Sequence, residues 1–205
     1  MVCADREPAL WRPDLLPSTV ILDAAPAGAG NAPPLDPDLW PHVLNDRLLS
    51  DGRHLVLGDE GGSHSLWLRE TDRGKPLAYV VPRDDGIELR SRATQRLEQR
   101  LSGVSPDRCP GQFRPTHFQA RRLTLLLRIL DMLQGERQSR PSTHEIARQL
   151  VYPRLAIGRG AEWKASPERR RTQRLIEEAR SFMNGRYRFL LKGKLAGATK
   201  TSGPK

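Results

Sequence analysis

The chain has 205 residues, 34 Lys/Arg against 24 Asp/Glu for a net charge of +10, and a hydrophobic fraction of 37%, which suits one large domain or two small ones with irregular ends. Its two cysteines, Cys3 and Cys109, exclude a disulfide framework and a four-ligand zinc site, and the five histidines (His42, His54, His64, His117, His144) lack metal-ligand spacing, so no metal and no cofactor is expected. The opening MVCADREPALWRP has acidic residues and no apolar core, unlike a signal peptide, and no stretch approaches the ~20 apolar residues of a membrane span; the expectation is a cytoplasmic protein with no membrane partner.

Residues 1–17 read as an irregular leader whose Trp11 and Pro13 dock on the first domain. Ser18 to Ala24 (STVILDA) is β-branched and apolar, a strand. The Pro- and Gly-rich stretch 26–38 is loop, and 39–49 is expected to form a short helix. Three strand signals come next: Arg53 to Gly58 (RHLVLG), Ser63 to Arg69 (SHSLWLR) and Pro76 to Val81 (PLAYVV). Asp59-Glu60-Gly61-Gly62 reads as the hairpin turn between the first two. A small antiparallel sheet buries these faces. Asp84 to Leu101 spaces Ile87, Leu89, Leu97 and Leu101 among charges, as a surface helix does.

Gly103 to Pro115 (GVSPDRCPGQFRP) holds three prolines and two glycines and marks a linker. The charge changes sign at the same place. Residues 1–110 carry 13 Lys/Arg and 17 Asp/Glu, a net of −4; residues 111–205 carry 21 and 7, a net of +14. Basic charge gathered in one folded segment is the footprint of a polyanion partner.

The second half reads as helical. Thr116 to Gln134 sets Phe118, Leu123, Leu126, Ile129, Leu130 and Leu133 on one broad face, with Arg121, Thr124, Arg128 and Asp131 opposite, which predicts a central, mostly buried helix ending at Gly135. Ser142-Thr143-His144-Glu145 is a capping-box sequence that starts a short helix with Ile146, Ala147 and Leu150 inward. Residues 152–165 are expected to be a loop or broken turn. Ser166-Pro167 is a strong helix start, and Gly185 is expected to stop that helix near Asn184.

On a helical wheel over 166–184, Thr172, Leu175, Ile176, Ala179, Phe182 and Met183 share one side. Arg170, Gln173, Arg174, Glu177 and Ser181 share the other, with Arg169 and Arg171 at the flanks. A recognition helix needs this layout: an apolar back that docks and a front of long donors. Arg matches the paired acceptors of guanine and Gln matches adenine. Arg169, Arg171, Arg186, Arg188 and Lys192 suit phosphates. A charged helix face is as often a solvated face, and Glu168, Glu177 and Glu178 neutralise part of this one, so only its N-terminal end is a candidate. The gap from Val151 to Ser166 exceeds the ~3–4 residue turn of a compact helix-turn-helix. His54 and His64 read as cross-strand packing, His117 and His144 as surface residues, Trp163 as a loop anchor, and Tyr187 and Phe189 as core. No Gly-rich phosphate loop, nucleophile elbow or HExxH is present, so no catalytic residue is expected.

HEIARQL, EWKAS and RRRTQRLIEEARSFMNGRYRFLL, in that order, resemble the RovC-like DNA-binding domain of proteobacteria over roughly residues 110–192. The first half is similar to the segment that often precedes that domain: Trp11-Arg12-Pro13, the stretch from Ala24 to Pro34, Leu66 to Arg69, and Pro76 to Pro82. The resemblance implies a bacterial transcription regulator with a helical DNA-binding part, from a family encoded near type VI secretion clusters and often on mobile elements. It supplies no base-contacting residues.

The expected fold class is therefore α+β. A small antiparallel β-sheet domain with a flanking helix (1–102) and a linker (103–115) precede an all-α, helix-turn-helix-like domain (116–192) and a disordered basic tail (193–205). The expected function is a homo-oligomeric transcription regulator, not an enzyme, bound to double-stranded DNA, with RNA polymerase or another regulator as a further partner. Two alternatives stay open: a protein-interaction module without DNA contact, and a structured-RNA binder that stacks bases on Trp163 and Tyr187.

Overall fold

The computed structural model describes residues 7–29, 35–72, 74–104, 115–135 and 140–194. Contacts divide the chain into two compact units, Met1–Phe113 with Leu191–Gly193, and Arg114–Leu190 with Lys194–Lys205. Most of the expected linker and tail, and both cysteines, lie outside the described residues. Among the described residues no helix is long and apolar enough to cross a membrane.

Among the described residues the first unit is a five-stranded sheet with one α-helix on it. Its strands are β1 (Val20–Ala24), β2 (Val43–Leu49), β3 (Gly52–Leu57), β4 (His64–Leu68) and β5 (Leu77–Val80), in the spatial order β2-β3-β4-β1-β5. The sheet is mixed where a wholly antiparallel one was expected. β2-β3, β3-β4 and β1-β5 are antiparallel, but β1 runs parallel to β4. β1 lies between β4 and β5 in the sheet. Val20, Leu22, Leu55, Leu57, Leu66 and Leu68 alternate onto one face, as a pleated strand requires, and α1 (Ile87–Leu101) buries Ala93 and Leu97 against them. Pro13 of the leader docks as expected: Arg90, buried on α1, donates to the Pro13 carbonyl at 3.1 Å and pairs with Asp84 at 2.7 Å.

The helix expected over 39–49 is a strand. A single 3-10 turn (Pro37–Leu39) ends before Pro41, and β2 then forms a hairpin with β3 across Ser50-Asp51. Gly52 closes that turn at φ +129, and a Cβ there would lie 2.2 Å from the Leu68 carbonyl oxygen, so only glycine fits. Arg53 on β3 reaches across to Asp46 on β2 at 2.7 Å and to Asp38 at 2.9 Å.

The second unit is helical: α2 (His117–Gln134), α3 (Thr143–Ile146), α4 (Gly160–Ala165), α5 (Pro167–Ser181) and α6 (Tyr187–Leu191). α3 carries the expected capping box, with the Ser142 amide donating to Glu145 Oε2 at 2.7 Å and the Glu145 amide donating to Ser142 Oγ at 3.2 Å. It runs on into a wide π-helical turn, Ala147–Val151. The core joins Leu126 and Ile129 of α2 to Ile146 and to Leu175, Ile176 and Ala179 of α5. α2 is not the mostly buried helix its pattern predicts. Only Leu126 and Ile129 are fully buried, while Phe118 is 74% exposed and Leu127 58%. Leu123, Leu130 and Leu133 of the same stripe are half-buried against this core.

Candidate nucleic-acid interface

The segment expected over 152–165 as a loop or broken turn is helical in its second half. α4 occupies its second half and buries Trp163 edge-on against His144, with ring centroids 5.0 Å apart and planes at 90°. His144 Nε2 also lies 3.2 Å from the Gly158 carbonyl, so His144 serves this anchor and is half-buried, where a surface position was expected. Trp163 is the anchor its sequence position implied, and its buried ring is unavailable to stack on a base. α4 leads into α5 through Ser166 alone.

Ser166 caps α5 by accepting the Arg169 amide on its hydroxyl at 3.1 Å, and Pro167 follows in the first turn, where its missing N–H costs nothing. The back of the helix is set by Thr172, Leu175, Ile176 and Ala179, all buried. Thr172 is fully enclosed yet satisfied, its hydroxyl donating to the Glu168 carbonyl at 2.8 Å. With the back held this firmly, the front cannot rotate.

On that front Arg170 and Arg174 are exposed and Gln173 is half-exposed. Together with Pro167 and Glu177 they line a shallow surface concavity. A second concavity, about 540 Å3, lies between α5 and α2 and is bordered by Arg122, Arg171, Arg174 and Arg186, with Glu177 and Glu178 among its walls. Arg174 belongs to both. Arg171 is exposed, with its guanidinium 5.9 Å from the Tyr152 ring centroid, a cation–π contact that orients it.

The other expected phosphate residues are placed differently. Arg169 is half-buried and donates from Nη1 to the Lys164 carbonyl at 3.2 Å, tying α5 to α4. α5 ends at Ser181, and a wide turn over Phe182–Arg186 follows, with Gly185 at φ +114. The helix is thus interrupted at the expected glycine, and α6 resumes after it. The wide turn also shifts the helical phase, so Met183, expected on the buried side, is 53% exposed while Phe182 stays buried. Arg186 lies over the Phe182 ring at 5.6 Å, and Arg188 on α6 is exposed. Lys192 falls in the first unit, where its ammonium meets Asp85 at 3.2 Å.

Arg122 joins the site without having been expected there. It grips Glu178 with two hydrogen bonds, Nε to Oε1 at 3.2 Å and Nη2 to Oε2 at 2.5 Å. The partners are 56 positions apart, and no local pattern announces such a pair. The pairing removes one of the three carboxylates on α5 from the balance against the arginines.

Comparison with known proteins gives two family matches. A model for the RovC DNA-binding domain, described as a DNA-binding domain of T6SS transcription factors, matches residues 80–192, and a domain of unknown function, DUF7012, matches residues 18–79. The first match spans α1 to α6 and the second spans β1 to β4 with most of β5. No curated protein matches the chain, and no solved structure does. More than half of the chain lies in the first match, and the chain belongs to the RovC DNA-binding-domain family of transcription factors.

Proposed function

We propose that the second unit binds duplex DNA through the front of α5, and that the chain is a sequence-reading transcription regulator. Arg170, Gln173 and Arg174 face base edges in the major groove. Arg169, Arg171, Arg186 and Arg188 hold flanking phosphates and set the register. The observation that carries this reading is the division of α5 itself. Four buried side chains fix its back, while Arg170 and Arg174 stand in solvent beside Gln173. The family match supports DNA as the partner, and the net of +14 over residues 111–205 supplies the long-range attraction.

The test is a salt-titrated binding assay of the full chain on its own upstream region, a scrambled duplex and a single-stranded RNA. The expected result is a steep loss of affinity with salt and a clear preference for the native duplex. Equal binding to the scrambled duplex would leave only a non-specific basic surface. Preference for the RNA would move the reading to a structured-RNA binder, and no binding tighter than ~10⁻⁴ M would favour a protein-interaction module. Contact with RNA polymerase and homo-oligomer formation belong to this proposal as the means by which a bound regulator acts, and crosslinking on promoter DNA tests both.

A further inference from the structure

We propose that the first unit carries a binding site for a small organic carboxylate, in the cavity between α1 and the parallel strands β1 and β4. The cavity measures about 280 Å3, at the lower edge of the ~300–1,000 Å3 usual for small-molecule sites. It suits a small ligand such as benzoate or hexanoate.

Its walls are of two kinds. Val20, Leu89 and Ala93 give an apolar surface, continuous with the core through Val20 and Ala93. Against it stand two guanidiniums, Arg92 and Arg96, one turn apart on α1, and the hydroxyls of Ser63 and Ser65 at the start of β4. Arg96 is held in place by the Gly62 carbonyl at 3.1 Å. Arg92 is exposed and has no ion-pair partner among the described residues.

The charge of the lining selects the ligand. No carboxylate borders this cavity, whereas the arginines of the concavity between α2 and α5 share it with Glu177 and Glu178. Asp59 sits behind His64, 3.2 Å from its Nε2, and Arg100 approaches the same carboxylate at 3.4 Å. That carboxylate is therefore already matched by a cation outside the lining. The Arg92 guanidinium with hydroxyl donors nearby and no carboxylate in the wall recognises an anion, and an apolar wall on the other side calls for an apolar body attached to it. An organic carboxylate meets both conditions, and inorganic phosphate meets only the first.

The position adds a role. β1 and β4 belong to the segment matched by DUF7012 and α1 to the segment matched by the DNA-binding family. A ligand here touches both segments within one compact unit, so the cavity is a place where a small metabolite bears on a transcription factor.

Calorimetric titration of the full chain with benzoate and with hexanoate, using neutral benzamide as control, tests the site. At least one acid is expected to bind with a Kd below ~1 mM and about tenfold tighter than benzamide. Arg92→Gln is expected to weaken that binding about tenfold, and Arg92→Lys, which keeps the charge but loses the planar fork, is expected to fall between the parent and Arg92→Gln. Because Arg92 is exposed, both variants should melt with the parent. The proposal is overturned if neither acid binds below ~1 mM, if benzamide binds as well as the acids, or if Arg92→Gln leaves the affinity unchanged. None of these outcomes depends on whether the second unit binds DNA.

Discussion

Arg122 on α2 and Glu178 on α5 form a two-pronged ion pair that joins the two long helices of the second unit. Glu178 is largely buried, with 13% of its side chain exposed, while Arg122 keeps 35%. Removing Arg122 leaves the Glu178 carboxylate enclosed without its counter-charge. For a pair this partly solvated, Arg122→Ala should cost about 1–3 kcal/mol of stability. Glu178→Ala should cost less, because the released guanidinium reaches water. Chemical denaturation of the two single variants and the double variant measures the coupling directly. Additive losses would mean the pair contributes nothing beyond its separate side chains.

Arg174 and Arg188 should fail in different ways. Arg174 borders both concavities on the front of α5 and is assigned to a base edge. Arg174→Ala should cost ~1–3 kcal/mol on the preferred site and relax the preference at one position. Arg188 is assigned to a phosphate, so Arg188→Ala should weaken all duplexes alike and reduce the salt slope by about one. Competition binding across a set of single-base variants separates the two patterns. The same loss profile from both would reject the division of labour.

Glu177 is exposed and lies on the border of both concavities. Unlike Glu178 it has no ion-pair partner among the described residues. It repels whatever phosphate approaches Arg170 and Arg174. Glu177→Gln is expected to tighten binding to every duplex a few-fold, and more at low salt than at high salt. A variant with unchanged affinity at low salt would place the bound DNA away from this part of α5.

The turn into α6 depends on Gly185. Its φ of +114 is a conformation that side-chain-bearing residues avoid, and a Cβ there would meet nothing within 4 Å. The cost of Gly185→Ala is therefore purely conformational, about 1–2 kcal/mol. Thermal melting of the variant gives the loss. A substitution without effect would mean the backbone can relax out of the left-handed region here.

His64 makes the first unit sensitive to acid. Its ring is buried, and burial pushes its pKa below the ordinary 6.5, partly opposed by the hydrogen bond to Asp59, while the nearby Arg96 and Arg100 charges push it lower. In the unfolded chain this histidine takes up a proton as the pH falls through about 6.5, and in the folded chain it does so only at lower pH. The unfolded state then binds more protons, so stability is full above about pH 6.5 and declines below it. Urea denaturation at about pH 7.5 and about pH 5.5 should show the decline, and His64→Gln should flatten it.

Legibility in the sequence followed the reach of each signal. The back of α5 was readable because Thr172, Leu175, Ile176 and Ala179 recur at helical spacing, and its start because Ser166-Pro167 acts locally. The strands β1, β3, β4 and β5 were readable from β-branched or alternating residues. β2 was not, because as an edge strand it leaves Val43, Leu48 and Leu49 in solvent and shows no alternation between buried and exposed positions. Its true signal was the Ser50-Asp51-Gly52 turn. The parallel pairing of β1 with β4 was also hidden, since strand order is a property of the assembled sheet. α2 misled for a related reason. Its apolar stripe runs past the end of the core it faces, so Phe118 fits the pattern and remains outside. Among site residues, Arg122 was invisible for want of any local signature, and the tethering of Arg169 to the Lys164 carbonyl required α4, which the sequence presented as loop.

The position of β1 has a further consequence, for how the chain is made. Of the five strands β1 is the first to leave the ribosome, yet both of its neighbours, β4 and β5, come later in the chain. Its backbone donors and acceptors have no ladder to join until residues 64–80 have been synthesised. β2, β3 and β4 form a meander from contacts close in sequence, but Val20, Ile21 and Leu22 must wait in the open for the strands on either side. Closure of this sheet is therefore a late, non-local step, of the kind that slows folding and exposes sticky segments meanwhile. A nascent chain arrested just before β4 would present its most apolar strand to chaperones instead of to its own core.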